Sequence, residues 1–181
     1  MQNKTYILDT NVYGELLIER NSEEIIKKLE GDSSLYIYGI DIIKKELGKI
    51  PAEVKYQNKL FKEAVLSLYK SLVEESLKLF PLSKHLAFEY YKEFDKLRNS
   101  GKYYKSLSPK IKKYTKEDLN IDFQIIAVAS IKNINVVVST DKRTILSEIA
   151  ENTYNKVNKM NQLRTPELIK YSEFIGGYKN D

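Results

Sequence analysis

Three consecutive valines, Val136 to Val138, lie between Asn135 and Ser139, and this run constrains the fold more than any other stretch. An unbroken β-branched run without polar alternation belongs to a strand covered on both faces, the environment of a parallel sheet wrapped by helices. Thr5 to Leu8 and Leu35 to Gly39 read as two further strands. Between the strands the apolar spacing turns helical: Asn11 to Glu19, a helix capped by Ser22 that stops at Gly31, and Ile40 to Lys49. Such alternation predicts an α/β fold of three layers, α/β/α, with a mostly parallel, about five-stranded central sheet.

The rest of the chain is read in the same way. Ala52 to Leu79 carries a helical stripe without proline or glycine, read as one or two long helices, and Leu79 to Leu82 as a short strand. Ser83 is expected to cap a helix that runs to about Asn99, and Thr115 to Asp118 opens another over Leu119 to Ile131. Further expectations are a helix from Lys142 to Glu151, a fifth strand over Lys156 to Met160, and a last helix opened by Thr165-Pro166-Glu167. Residues 1–181 are taken as a single domain with a helical insertion over about 52–114.

Composition excludes several chemistries. With no cysteine there is no disulfide, thiolate zinc site or cysteine nucleophile, and one histidine, His85, cannot supply a two-histidine acid–base pair. No apolar run approaches the ~18 residues that a membrane helix needs, so no membrane partner is expected. The opening residues lack a secretory pattern, and a cytoplasmic location is expected. A net charge of +5 suits a polyanionic partner. Its densest basic stretch, Arg98 to Lys116, holds seven cations and no acid, with Tyr103, Tyr104 and Tyr114 among them.

Ligand sites in open α/β sheets lie beyond the carboxyl ends of the strands. Asp9 follows the first strand directly, and Asp141 follows the valine strand after Ser139 and Thr140. Glu46 lies on the helix after the second strand, while Asp122 and Asp118 share one face of the helix that feeds the valine strand. Carboxylates gathered in one place repel unless a cation joins them, and hard divalent ions prefer such oxygen ligands. Taken singly, the same acids have another reading: Asp9 with Asn11 as a helix-capping turn, Asp141 as a charge favoured at a helix N-terminus.

Asp9-Thr10-Asn11, Ile43 to Leu47 around Glu46, Asp122 to Ala129, and Val138-Ser139-Thr140-Asp141 together resemble the four acidic motifs of PIN-domain ribonucleases, the family of VapC-type toxins. The resemblance covers residues 4–50 and about 115–175. It implies that Asp9, Glu46, Asp122 and Asp141 are catalytic and surround Mg2+ or Mn2+, with Asp118 as a further candidate ligand. Asn11 would brace the first loop, and Ser139 and Thr140 the last. The implied activity is metal-dependent endoribonuclease cleavage of single-stranded or structured RNA, as the toxin of a type II toxin–antitoxin pair, with an antitoxin partner and a homodimeric state. Lys142, Arg143, Lys102, Lys105, Lys112 and Lys113 are the expected RNA contacts. The alternative is a non-catalytic PIN-like scaffold that binds RNA or protein. One departure stands out: 76 positions separate Glu46 from Asp122, more than many short toxins of the family have.

Overall fold

The computed structural model describes residues 4–56, 59–100, 103 and 109–179. Strand β1 (Lys4–Leu8) leads into α1 (Thr10–Ile18), α2 (Ser22–Gly31), β2 (Leu35–Ile40) and α3 (Asp41–Leu47). A short hairpin follows, β3 (Lys55–Tyr56) with β4 (Lys59–Leu60), then α4 (Phe61–Leu72), β5 (Glu75–Leu77), α5 (Pro81–Arg98) and α6 (Pro109–Lys112). The remaining elements are α7 (Lys116–Ile131), β6 (Val136–Ser139), α8 (Glu148–Met160), β7 (Glu167–Lys170) and α9 (Tyr171–Gly176).

The main sheet has the order β5-β2-β1-β6-β7. Strand β1 pairs in parallel with β2 and β6, and β2 in parallel with β5. The fold is therefore three-layer α/β/α about a five-stranded, mostly parallel sheet, the class that the alternation predicts. Val136, Val137 and Val138 are fully buried, as a strand without polar alternation requires. Among the described residues, no helix is long and apolar enough to cross a membrane.

Two compact units compose the chain. One is built on β1, β2, β5 and β6 with α1 to α4 and α9, the other on α5 to α8. In the first, α1 packs against α2, α3 and α4, and its buried face carries Val12, Tyr13 and Leu16. In the second, α5 packs against α7 and α8, where Tyr90, Phe123 and Tyr154 meet edge to face. Such aromatic contacts contribute beyond the area they bury.

Several local expectations are corrected. The stretch 52–79 is not one long helical region: a hairpin precedes α4, and the edge strand falls at Glu75–Leu77 rather than at 79–82. Ser83 does not cap α5 from outside. It sits at the third helical position, where its hydroxyl accepts from Phe80 N and donates to Phe80 O. Lys156 to Met160 is the end of α8 rather than a strand, and the helix expected from Lys142 begins only at Glu148, after the cap Ser147. Glu167–Lys170 is a strand followed by α9, so Pro166 precedes a strand instead of opening a helix.

Gly39 shows how tightly the first unit is packed. A Cβ there would lie 2.1 Å from the Tyr69 hydroxyl oxygen and 2.8 Å from Val73 Cγ1. The tyrosine is held, since its hydroxyl donates to Ile40 O. Gly39→Ala is expected to cost about 1–3 kcal/mol by urea denaturation. Gly31→Ala, with nothing within 4 Å of its Cβ, should be neutral or slightly stabilising. Equal midpoints for the two variants would contradict this packing.

The C-terminal residues are tied back by charge. A hydrogen bond from Lys179 holds the Glu19 carboxyl below its ordinary value, and bonds from Ser34 and then Tyr178 do the same for Asp32. Carboxyls depressed by folding stabilise at pH above their unfolded value, and the gain is lost as pH falls through the folded one. Stability should therefore decline as pH drops below about 4. The decline should be shallower in Lys179→Ala, as followed by thermal melts across acidic pH; identical profiles would exclude the coupling.

Candidate functional site

The expected site residues divide between the two units. In the first, β1 ends where α1 begins, and Asp9 is the residue between them, extended at φ −63° and ψ 157° as helix caps are. Its Oδ1 accepts from Thr10 N at 2.7 Å, and its Oδ2 accepts from Ser139 Oγ at 2.8 Å. Asp9 N in turn donates to Val138 O at 2.9 Å. Only 4% of Asp9 is exposed and Ser139 is fully buried, so this carboxylate is held by hydrogen bonds at the junction of β1 and β6.

Glu46 joins through a hydroxyl. Thr10 Oγ1 donates to Glu46 Oε2 at 2.6 Å, linking the first residue of α1 to α3. Thr10, to which the sequence reading gives no role, is thus the residue that connects these two acids. Its only signal in the sequence is a hydroxyl immediately after the capping acid. Asn11 lies exposed in the first turn of α1, and Thr140 is half-buried just after β6.

In the second unit, Asp141 organises a turn. Its Oδ1 accepts from Arg143 N at 2.7 Å and Thr144 N at 3.2 Å, and its Oδ2 accepts from Thr144 Oγ1 at 2.8 Å. These are the bonds of an Asx turn, which competes with helix and explains why α8 starts late. Asp118 closes a capping box: its Oδ2 accepts from both N and Oγ1 of Thr115, while Thr115 Oγ1 accepts from Asp118 N. Asp122 is half-buried one turn further along α7.

Tyr114 reports on this neighbourhood. Burial is the main cause that pushes its phenol above the ordinary value; Arg143 pulls it back, and Asp141, Asp122 and Asp118 push it up again. Three of the expected acids thus share one electrostatic surrounding with a tyrosine and an arginine. Arg98 is turned inward, donating to Asp95 and to Tyr114 O, with only 12% of its side chain exposed. Of the expected RNA contacts, Lys113, Lys142 and Arg143 are exposed. Lys102 and Lys105 lie outside the described residues, as does the side chain of Lys112.

This geometry overturns the metal-centred expectation. Among the described residues, no three histidine, aspartate or glutamate side chains are grouped so as to hold a metal ion. Asp9, Glu46, Asp118 and Asp141 accept hydrogen bonds from neighbouring caps, hydroxyls and turns instead. The residues do not fit Mg2+ or Mn2+, and the assignments of metal-dependent endoribonuclease, nuclease toxin and metal cofactor are corrected accordingly.

No family model matches the chain, and no curated protein does. Among solved structures, it is similar to a chain of the crystal structure of VapBC2 from Rickettsia felis bound to a DNA fragment from their promoter. That likeness is distant: 14% identity over 92% of this chain and 98% of the other, with a TM-score of 0.46.

If Asp9 is a structural acceptor, the identity of its replacement decides the outcome. Asp9→Ala removes the cap and the carboxylate to which the buried Ser139 hydroxyl donates, for an expected loss of about 2–3 kcal/mol. Asp9→Asn keeps an acceptor for Thr10 N and should lose about 1 kcal/mol or less. Chemical denaturation of the two variants checks this; an alanine variant as stable as the asparagine one would exclude a capping role.

Proposed function

We propose that this protein is a non-catalytic PIN-like scaffold that binds single-stranded RNA. The observation that carries the reading is the surrounding of Tyr114: a partly exposed aromatic in the field of Arg143, adjoining the exposed Lys113, beside carboxylates engaged in capping and turn formation. Single strands are held where cations track the phosphates and aromatic rings stack on bases. Lys113, Lys142 and Arg143 are the proposed phosphate contacts, and Tyr114 the stacking ring. A net charge of +5 draws the polyanion in, and the field falls off with salt.

A strand held in this way is bound without being cut. Hydrolysis would require a group that activates water and one that neutralises the charge developing on the phosphate. Here the acids instead give a fixed shape to the loops that carry the cations. Asp141 accepts the backbone N–H of Arg143 and lies 3.9 Å from its Nε, an ion pair whose arginine stays 59% exposed and can exchange the carboxylate for a phosphate.

The test is anisotropy of a labelled single-stranded RNA across a salt series, with magnesium present and the RNA recovered afterwards. Wild type should bind and return the RNA intact. The triple variant Lys113→Ala, Lys142→Ala, Arg143→Ala should bind more weakly, with a salt slope shallower by about 2, at roughly 0.7 per phosphate contact. Calorimetry with magnesium should show no binding that depends on Asp9 or Asp141. Cleaved RNA, or an unchanged slope in the triple variant, would overturn the proposal.

A further inference from the structure

The cavity between α5 and α7 is not part of the surroundings just described. Its volume is about 180 Å³, below the ~300–1,000 Å³ of pockets that engulf a drug-sized ligand, so it suits a single ring with a polar edge. One wall carries Lys84, Phe88 and Tyr91, spaced along one face of α5, and the other carries Lys116, Asn120 and Gln124, spaced along one face of α7.

Three features of the walls are complementary to a nucleotide. Phe88 is 36% exposed, and the ammonium groups of Lys92 and Lys116 lie 4.5 and 4.4 Å from its ring centroid. Gln124 is only 7% exposed; its Nε2 donates to Asn120 Oδ1 at 2.7 Å, and its Oε1 is buried without a hydrogen-bond partner. A buried carbonyl left unpaired is costly, and a donor brought by a ligand removes that cost. Lys84 and Lys116 are exposed cations in the cavity wall, and the exposed Lys92 reaches its edge over the Phe88 ring.

We infer that this cavity receives one base of a bound single-stranded RNA, stacked on Phe88 and Tyr91, with a base N–H donated to Gln124 Oε1 and the flanking phosphates on Lys84, Lys92 and Lys116. The inference rests on the RNA-binding reading above and adds a second contact to it, one that takes a base together with its flanking phosphates. Exposed cation–π contacts are weaker than base stacking, so the two ammonium groups leave the ring for phosphate when a base arrives. Every nucleobase presents an N–H edge and a π-face, so the site takes a base without demanding a particular sequence.

The experiment compares a short fluorescein-labelled oligouridylate with an abasic strand of the same length, each titrated with the full chain. Wild type should prefer the strand with bases. Phe88→Ala should bind it about tenfold more weakly, with the salt slope unchanged and the affinity for the abasic strand unaltered. Phe88→Trp, which restores a stacking ring, should recover wild-type affinity. Because Phe88 is partly exposed, circular dichroism of the alanine variant should match wild type. If Phe88→Ala binds the oligouridylate as wild type does, or loses equally on the abasic strand, the cavity assignment falls while RNA binding stands. If wild type binds neither strand, both fall.

Discussion

Burying the Asp9 carboxylate is the constraint on which the first unit depends. A charged group out of water needs hydrogen-bond donors at fixed positions. Here they come from the first residue of α1 and from the last residue of β6. Those donors coincide only if β1 and β6 pair in the register that sets Leu8 beside Val138, and that register also lets Asp9 N reach Val138 O. The pairing of the two central strands, the start of α1 and the state of one carboxylate are thus mutually dependent. Thr10 extends the arrangement to α3 by donating to Glu46.

The same logic applies to Asp141 and Asp118. Like charges gathered in one pocket need a cation between them, whereas a carboxylate given its own N–H and O–H donors is stabilised where it stands. Within three positions of themselves, the Asp141 carboxylate accepts three such bonds and the Asp118 carboxylate two, while Asp118 N donates back to Thr115 Oγ1. Local acceptors of this kind stiffen the turns on which Arg143 and the helix start at Lys116 are carried. Rigid presentation of exposed cations lowers the ordering cost of meeting a phosphate chain, since fewer rotamers and loop conformations are lost on binding.

Much of this was legible in the residues. The valine run, the short strands at 4–8 and 35–40 and the capping box at Thr115 follow from local chemistry that the tertiary structure does not override. The segment 52–79 misleads because its stripe of Val65, Leu68 and Leu72 is true of α4 alone, and periodicity does not mark where a helix begins. The turn after Asp141 misleads in another way, since an acid at that point favours both a helix start and an Asx turn. For Asp9 the sequence offers both the capping use and the metal use and does not decide between them, because an anionic oxygen that ligates a cation and one that caps a helix are the same atom in sequence. Thr10 decides the matter structurally for Asp9 and Glu46, and the motif that contains it does not show that role.

The second unit sets one buried amide against another. Asn158, fully buried on α8, accepts from Tyr90 and donates to Ser130 Oγ and Thr165 Oγ1, so each of its polar atoms is matched. Burial pushes the Tyr90 phenol well above its ordinary value, which keeps it protonated as the donor this network requires. Gln124 lies about two turns before Ser130 on α7, faces the same α5, and is matched on one side only. Interior amides in a well-packed helical unit are satisfied because the cost of an unpaired one is large. The exception sits in the wall of a cavity beside an exposed aromatic ring and three lysines, which is where an incoming base would complete it.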